Sequence, residues 1–228
     1  MNQITVLLSE DHAILRDGLR SLLASEGDIK IVGEASNGRE AVDLCLQLRP
    51  DVVIMDIGMP TLNGIEATRQ ILRAQPSTRV LILSAYTEMA RVEEAMGLGA
   101  SGYLIKQTEA RFLPAAIRAA RAGKKIMSPA IARYLQGLEK AGRPKPKHLT
   151  SREAEVLQLV AEGRANKQVS AELNISVKTV QKHRQSLMDK LNIHDTAGLT
   201  RYAMANGFVV PDTSIPFGTN VDPVLCSI

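Results

Sequence analysis

The first half of the chain alternates between short apolar runs and longer segments in which apolar residues recur three and four positions apart, the spacing of a helix face. Strands that alternate with helices predict βαβ units, a parallel sheet and right-handed crossovers. Because the runs are almost continuously apolar, helices should cover the sheet on both faces. The predicted strands are Ile4–Leu8, Ile29–Gly33, Val52–Met55, Val80–Leu83 and Gly102–Ile105.

The simplest arrangement of five such strands is the doubly wound, flavodoxin-like α/β fold with strand order 2-1-3-4-5. In this order strand 2 is added on one side of strand 1 and strands 3 to 5 on the other, so the strand order reverses between strands 1 and 3. Open parallel sheets bind ligands in the crevice at this reversal, beyond the carboxyl ends of the strands. The sequence therefore predicts a site where the first and third strands end.

Polar residues follow four of the predicted strands. Glu10 and Asp11 follow the first, Asp56 the third, Ser84 the fourth and Lys106 the fifth. A single acid in such a position is usually an ordinary solvated cap. Acids, a hydroxyl and an ammonium at one crevice instead indicate a site that phosphorylates the carboxylate of Asp56.

Three carboxylates that lie close together repel one another unless a cation joins them. Oxygen ligands with open positions favour Mg²⁺, held by Glu10, Asp11 and Asp56. In this interpretation Asp56 attacks an incoming phosphoryl group. Lys106 offsets the charge of that group, and Ser84 donates a hydrogen bond to one of its oxygens.

The second half of the chain has helical patterns only. A capping box at Thr150 and Glu153 predicts a helix that ends near Gly163. A short helix should follow at Asn166–Leu173, and Ser176 should cap a longer one at Val177–Leu191. Two helices across a tight turn, the second with a polar and basic outer face, are typical of a helix-turn-helix that binds double-stranded DNA.

The outer face of Val177–Leu191 carries the candidate DNA contacts. Lys178 and Lys182 lie one turn apart, so both can meet guanine edges or phosphates. Gln181 and Gln185 have the amides that read adenine. For Lys182, contact with a base and contact with a phosphate both remain open, and His183 is either a phosphate contact or a packed polar residue. The full set of candidates is Lys167, Lys178, Thr179, Gln181, Lys182, His183 and Gln185.

Charge separates the two halves of this 228-residue chain. Residues 1–125 hold 15 basic and 15 acidic residues, whereas residues 143–207 hold 11 basic and 6 acidic. The net charge of +4 therefore originates in the C-terminal module, as expected of a nucleic-acid binder. No apolar run approaches a membrane span and no basic leader precedes the first strand, which predicts a cytoplasmic protein without membrane contact. Two cysteines, Cys45 and Cys226, indicate neither a metal site nor a disulfide framework.

Residues 1–125 resemble the receiver domain of bacterial two-component response regulators. The resemblance lies in Ser9-Glu10-Asp11-His12, in Met55-Asp56-Ile57-Gly58-Met59-Pro60 and in Gly102-Tyr103-Leu104-Ile105-Lys106. It implies that Asp56 is the phosphoacceptor, that Glu10 and Asp11 help to hold Mg²⁺, and that the backbone carbonyl of Gly58 is a further ligand. It also implies that Ser84 and Tyr103 form a switch pair that reorients on phosphorylation. An edge-strand aromatic is the alternative for Tyr103.

Residues 148–209 resemble the LuxR-type helix-turn-helix of the NarL/FixJ response regulators. The resemblance is carried by Leu149-Thr150-Ser151-Arg152-Glu153, by Ala161-Glu162-Gly163, by Ile175-Ser176-Val177-Lys178-Thr179-Val180 and by Lys190-Leu191. It implies that Val177–Leu191 is the recognition helix. It further implies that a last helix near Ala197–Asn206 is a dimer contact.

The chain is therefore predicted to consist of a receiver domain (1–125), a linker with a short helix (126–147), a small all-α DNA-binding domain (148–210) and a flexible tail (211–228). A sensor histidine kinase would phosphorylate Asp56 and thereby control dimerisation and promoter binding. The alternative is a phosphorelay or protein-interaction receiver that binds DNA incidentally. A phosphatase is disfavoured because Gly58 stands where an aspartyl-phosphate hydrolase needs a second acid. At most slow self-dephosphorylation is expected, so the protein is not an enzyme proper.

Overall fold

A computed structural model of the chain shows a sheet-based N-terminal domain and a helical C-terminal domain. No helix in the described part of the chain is both long and apolar enough to cross a membrane. Most of the predicted linker with its short helix (126–147) and the whole of the predicted tail (211–228) lie outside the described residues. The structure describes residues 3–85, 89–106, 112–127, 131–135, 137, 149–206 and 208–209.

The N-terminal sheet has six parallel strands in the order β2-β1-β3-β4-β5-β6. The flavodoxin-like order is confirmed for the first five strands. The sixth was not predicted, because two residues are too few to show a pattern, and it extends the sheet into the segment that the sequence assigned to the linker. The strands are β1 (Ile4–Ser9), β2 (Ile29–Ala35), β3 (Val52–Met55), β4 (Arg79–Ser84), β5 (Gly102–Ile105) and β6 (Ile126–Met127).

Helices cover both faces of this sheet, as the apolar strands predicted. On one face α2, α3 and α4 pack over a core that includes Cys45, Ile71 and Val92. On the other, α1 and α5 pack over a core that includes Leu23 and Ile117. The helices are α1 (Ala13–Ala24), α2 (Gly38–Leu48), α3 (Gly64–Ala74), α4 (Met89–Gly97) and α5 (Leu113–Arg121).

The Cys45 thiol is fully buried beneath α2, where Sγ lies 3.5 Å from Oε1 of Gln75. Burial raises the pKa of this thiol to about 11, because the charged thiolate is poorly solvated there. Cys45 is therefore a core residue, and its thiol is chemically quiet in the folded chain.

The C-terminal domain consists of four helices around a single core that includes Val169, Val180, Leu187 and Leu199. Its elements confirm the predicted helix-turn-helix, with bounds that agree to within one or two residues. Val177 has the spacing of the apolar side that Val180 and Leu187 form, but it is 39% exposed because it stands at the first turn of its helix. The helices are α6 (Ser151–Ala161), α7 (Asn166–Glu172), α8 (Val177–Leu191) and α9 (Thr196–Ala205).

Local signals fix where these helices begin and end. The capping box is present: the Glu153 amide donates to Thr150 Oγ1 at 3.3 Å, and Glu153 Oε2 accepts from the Thr150 amide at 2.9 Å. Ser176 Oγ accepts from the Thr179 amide at 3.1 Å and begins α8. Asn192, at φ 54°, takes the left-handed conformation that ends α8.

Candidate phosphoacceptor site and nucleic-acid interface

The carboxyl ends of β1, β3 and β5 bring four of the predicted site residues together. Lys106 Nζ lies 3.0 Å from Asp56 Oδ2 and 2.7 Å from Glu10 Oε2. Asp11 stands next to Glu10 at the rim, with its side chain 25% exposed. Asp56 is only 3% exposed and Glu10 only 1%, so both carboxylates lie at the bottom of the crevice.

Burial and neighbouring charges both perturb the pKa values of these groups. Burial, and then the neighbouring Asp56 carboxylate, raise the pKa of Glu10, with Lys106 opposing the change. Burial alone would lower the pKa of Lys106, but Asp56 and Glu10 together outweigh that effect and raise it. Lys106 is therefore held as a cation between two acids, a position suited to neutralising charge at Asp56.

The crevice also contains His12, to which the sequence interpretation gave no role although it stands within the Ser9–His12 motif. Its Nδ1 lies 2.8 Å from Asp11 Oδ1 and 3.1 Å from Glu10 Oε1. Possible ligand atoms of Glu10, Asp11, His12 and Asp56 all lie within 4.8 Å of one another. Asp11 Oδ1 is buried and accepts no hydrogen bond of good geometry. An unsatisfied carboxylate oxygen among other acids fits a divalent cation.

The loop from Ile57 to Asn63 follows the phosphoacceptor and folds back tightly on it. Asp56 Oδ1 accepts from the Ile57 amide at 2.8 Å, and the Gly64 amide donates to the Ile57 carbonyl at 2.9 Å. A Cβ at Gly64 would stand 1.8 Å from the Asp56 carbonyl oxygen, so only glycine permits this approach. Thr61 takes a left-handed conformation at φ 67°, which is uncommon for a β-branched residue.

Three further predicted residues, Gly58, Ser84 and Tyr103, belong to the receiver. Ser84 ends β4 and Tyr103 lies on β5, and both are fully buried. Tyr103 pairs with Ile82 on one side and Met127 on the other. The edge-strand alternative for Tyr103 is therefore wrong, because β6 covers that side of β5. Gly58 stands in the loop two residues after Asp56, and the roles assigned to Gly58, Ser84 and Tyr103 stay predictions.

The predicted DNA contacts lie on the outer face of α8, apart from Lys167 on α7. Lys178, Gln181, Lys182 and Gln185 are all exposed, as is Lys167. Gln185 Nε2 donates to Asp189 Oδ1 at 2.9 Å, so its amide is partly engaged within the helix. Thr179 and His183 are half-buried, and Thr179 Oγ1 shares a 2.8 Å hydrogen bond with Ser176.

Glu153 anchors α8 to α6 from within the C-terminal domain. Its Oε2 lies 2.9 Å from Lys190 Nζ, and its Oε1 accepts from Ser186 Oγ at 3.1 Å. Burial opposes ionisation, but the hydrogen bonds from Thr150, Lys190 and Ser186 prevail and hold the pKa of Glu153 at about 2. The position of α8 is thus fixed relative to α6.

The two domains touch through α6, a contact that the sequence did not indicate. Gln158 Oε1 accepts from the Asn63 amide at 2.7 Å, and Gln158 Nε2 donates to the Met59 carbonyl at 3.0 Å. Glu162 Oε1 accepts from the Thr61 amide at 3.0 Å. The loop after Asp56 is therefore held by side chains of the DNA-binding domain. No sequence signal marks Gln158, which lies among apolar residues of an otherwise ordinary helix.

Comparisons with known proteins agree with both domains. The response regulator receiver domain family matches residues 6–118, and the luxR family of bacterial regulatory proteins matches residues 147–203. The chain belongs to the response regulators that carry a LuxR-type helix-turn-helix, the NarL/LuxR family.

Individual relatives match almost end to end. The chain is 39% identical to the transcriptional regulatory protein LiaR of Bacillus subtilis, over 90% of this chain and 99% of LiaR. It is 32% identical to the response regulator VraR of Staphylococcus aureus, over 90% and 99%. A structure of RcsB from Salmonella enterica serovar Typhimurium, bound to the promoter rprA with the phosphomimetic BeF3-, matches with a TM-score of 0.60 and 28% identity, over 88% and 98%.

Proposed function

We propose that this protein is a phosphorylation-controlled transcription regulator that binds double-stranded DNA through α8. The observation that carries the proposal is the coexistence, in one chain, of a buried Asp56 paired with Lys106 and a separate helix-turn-helix with an exposed basic face. The promoter-bound RcsB structure supports the same combination of functions in a relative. Regulation of transcription, not catalysis, is the proposed activity.

In the proposed reaction a carboxylate oxygen of Asp56 attacks the phosphorus of a phosphohistidine on a sensor histidine kinase. The new bond joins that oxygen to phosphorus while the bond from phosphorus to the imidazole nitrogen breaks, and the imidazole leaves with the electron pair. Lys106, at 3.0 Å, offsets the negative charge that accumulates on the phosphoryl oxygens. Ser84 would donate a hydrogen bond to one of those oxygens.

Glu10, Asp11 and Asp56 would hold Mg²⁺, with the Gly58 carbonyl as a further ligand. An ion held by these residues would supply positive charge that offsets the phosphoryl oxygens. The acids fit this role because Asp11 Oδ1 is buried without a hydrogen bond. Burial and then the neighbouring Asp56 also raise the pKa of Glu10, and Lys106 and the His12 amide offset this rise only in part. His12 borders the same cluster but is not among the proposed ligands. Those ligands are all oxygen atoms, which favour Mg²⁺ over softer ions.

Phosphorylation would reorient Ser84 and Tyr103, favour a homodimer and raise affinity for a repeated DNA site. A bias of a few kcal/mol is enough to shift such a population substantially. With a DNA target and a kinase partner, the protein would act in the cytoplasm. The alternative, a phosphorelay or interaction receiver, is less well supported because the exposed outer face of α8 would then have no use.

Replacing Asp56 with Asn tests the phosphoacceptor directly. We expect Asp56→Asn to abolish labelling by acetyl phosphate and Mg²⁺, because the amide is no nucleophile for phosphorus. Intact-mass measurement would follow the added phosphoryl group. Asp51→Asn, at the opposite end of β3, is the matched control and should label normally. Normal labelling of Asp56→Asn would contradict the assignment.

The DNA-binding half is tested by selection from random duplex DNA, with and without beryllofluoride and Mg²⁺. An inverted repeat enriched with the phosphoryl mimic is the expected result. The same site enriched equally in both arms would show a constitutive binder whose receiver serves another purpose. Failure to enrich any site would favour the phosphorelay alternative.

A further inference from the structure

Arg16 on α1 contacts the segment that connects β1 to α1, residues 10–12, which we name the acid loop. Its Nη1 donates to the backbone carbonyl of Glu10 at 2.6 Å, and its Nε lies 3.4 Å from Glu34 Oε2. The side chain is 21% exposed, so the guanidinium lies mostly within the fold. One arginine therefore ties the acid loop to α1 and to β2 at the same time.

The backbone of the acid loop is held by hydrogen bonds from the sheet, from within the loop and from α1. The Glu10 amide donates to the Ala35 carbonyl at 3.0 Å, and the His12 amide donates to Glu10 Oε1 at 3.2 Å. The Glu10 carbonyl stands where β1 has already ended, and Arg16 is its donor. The planar guanidinium suits this position, because its fork of N–H groups can serve a carbonyl and a carboxylate together.

The acid loop carries two of the three carboxylates that would hold Mg²⁺, whereas the third, Asp56, follows β3. The carboxylates of Glu10 and Asp11 can meet that of Asp56 only while the loop backbone keeps its path. Acids placed so close together repel one another when no ion joins them, so the loop needs a restraint in the ion-free chain. Arg16 supplies one. Its bond goes to a carbonyl, so it does not compete with an ion for the carboxylate oxygens.

Arg20, one turn further along α1, shares one partner with Arg16 but has a different environment. Its Nη1 lies 3.4 Å from Glu34 Oε1, and its Nη2 lies 2.6 Å from Asp17 Oδ1. Among the described residues, Arg20 bonds to Glu34 and Asp17 and not to the acid loop. The two arginines therefore have the same charge, helix and acidic partner, and they differ in the contact with the Glu10 carbonyl.

We propose that Arg16 is a positioning residue that holds Glu10 and Asp11 in the arrangement that binds the divalent cation. The inference rests on the proposed function, to which it adds a residue outside the set of metal ligands. Without Arg16 the Glu10 carbonyl loses its donor, and the carboxylates of the acid loop move apart under their mutual repulsion. Part of the binding free energy is then spent on ordering the loop, so the affinity for Mg²⁺ falls.

The direction of the change distinguishes positioning from charge. Arg16 is a cation, and removal of a cation near a metal site increases the attraction of that site for Mg²⁺ through space. Loss of positioning decreases the affinity instead. A variant that loses the positive charge of Arg16 and binds Mg²⁺ more weakly therefore does so because the acid loop has lost its arrangement.

The test titrates Mg²⁺ alone into the full-length chain and follows the amide resonances of residues 10–12 and 56–58. We expect Arg16→Gln to raise the dissociation constant at least about tenfold, the usual effect of removing a group that orients a metal ligand. Half-maximal labelling by acetyl phosphate should require about tenfold more Mg²⁺ in this variant. The maximal labelling rate should change by less than about twofold, because saturating Mg²⁺ restores the site.

Arg20→Gln is the matched control, because it removes the same charge from the same helix and the same acidic partner. It should leave the dissociation constant within about twofold of that of the unmodified chain. Arg16→Lys keeps a charged donor but loses the fork that serves two partners, so we expect a rise of about threefold. If Arg16→Gln does not fold, as judged by hydrogen exchange of β1 and β3, Arg16→Lys decides the question.

The outcomes separate this inference from the proposed function. An unchanged or lower dissociation constant in the folded Arg16 variants would overturn the inference and leave Asp56 as the phosphoacceptor. A loss of affinity in Arg20→Gln equal to that in Arg16→Gln would overturn it too. A purely structural role of Arg16 would lower the stability of the ion-free chain without changing the affinity of the folded protein. If the unmodified chain neither responded to Mg²⁺ nor became labelled, the proposed function would fall, and the inference with it.

Discussion

At the scale of single residues, position relative to a strand end decides which side chains take part in the chemistry. Lys106 follows β5 and reaches both Asp56 and Glu10, although 50 residues separate it from the former in sequence. The parallel sheet provides this convergence, since the carboxyl ends of its strands lie along one edge. The motif therefore becomes a site only in the folded chain.

Glu153 shows how a single carboxylate stabilises the C-terminal domain. Because its pKa falls from an ordinary 4.5 to about 2, it contributes stability that is fully present above pH 4.5 and is lost as the pH falls towards 2. We expect Glu153→Gln to lower the free energy of unfolding of this domain at pH 7 by about 1–3 kcal/mol. The difference should shrink near pH ~3.

Hydrogen exchange of peptides from α6 and α8 measures the free energy of unfolding of the C-terminal domain separately from that of the receiver. Glu172→Gln is the control, because Glu172 is exposed at the end of α7. It should change the free energy of unfolding by no more than about 0.5 kcal/mol. If the loss of unfolding free energy in Glu153→Gln stayed constant between neutral and acid pH, the carboxylate charge would not be the cause of that loss.

At the scale of elements, α8 combines a buried side that sets its position with an outer face that remains available. Val180 and Leu187 are fully buried, whereas Lys178 and Lys182 project from the opposite side. The periodicity of the sequence predicted this division, and the caps at Ser176 and Asn192 fixed its limits. A helix of this kind presents its polar face as a rigid surface.

Lys182→Ala should weaken specific DNA binding without unfolding the domain, because Lys182 is exposed. A base contact predicts a loss of about 1–3 kcal/mol and relaxed preference at one position of the site. A phosphate contact predicts a loss of affinity that is the same for all DNA sequences. It also predicts that the slope of log K against log salt concentration falls in magnitude by about one. Binding titrations at several salt concentrations, on the selected duplex and its single-base variants, distinguish the two.

Lys124→Ala is the matched control for that titration. Lys124 is an exposed lysine just before β6, on the receiver. It should leave affinity, salt dependence and site preference as they are. Unchanged binding by Lys182→Ala as well would remove Lys182 from the interface.

Elements also show where prediction from sequence succeeds. Long periodic segments and their caps, such as Thr150–Glu153 and Ser176, were sufficient for α6 and α8. β6 escaped prediction because two residues carry no period. The role of Gly64 was equally hidden, since its need for glycine arises from a carbonyl eight residues earlier that only the folded loop brings against it.

At the scale of the whole molecule, the sequence predicted two domains but not their contact. Charge distribution and helix patterns assign DNA binding to the C-terminal domain, whereas Gln158 and Glu162 look like ordinary polar residues of a surface helix. Their partners are mainly backbone groups of a distant loop, at Met59, Thr61 and Asn63. Contacts to backbone leave no complementary side chain that a sequence pattern could reveal.

The proposed dimer makes a geometric prediction about its DNA site. Two copies of α8 related by a twofold axis enter successive major grooves on one side of the duplex. Inserting roughly 5 base pairs between the selected half-sites, half a helical turn, should abolish cooperative binding of the beryllofluoride-treated protein, because the second copy would face the opposite side. Inserting about 10 should restore it in part.

Gel-shift titrations on the original, half-turn and full-turn duplexes provide the comparison. A duplex with a single half-site is the control. It should bind one copy of the protein with the same low affinity whether or not the inserted base pairs are present. Binding that is indifferent to the spacing would contradict a rigid dimer and indicate independent modules.

The buried thiol of Cys45 can be used to measure how often the receiver opens around it. With Cys226→Ser, the chain retains a single sulfhydryl, shielded beneath α2 and, with a pKa of about 11, almost wholly protonated at neutral pH. An alkylating reagent can then modify the protein only when the structure on that face of the sheet opens locally. The kinetics of alkylation, compared with and without beryllofluoride, would tell whether the phosphorylated receiver loosens throughout or rearranges only at its rim.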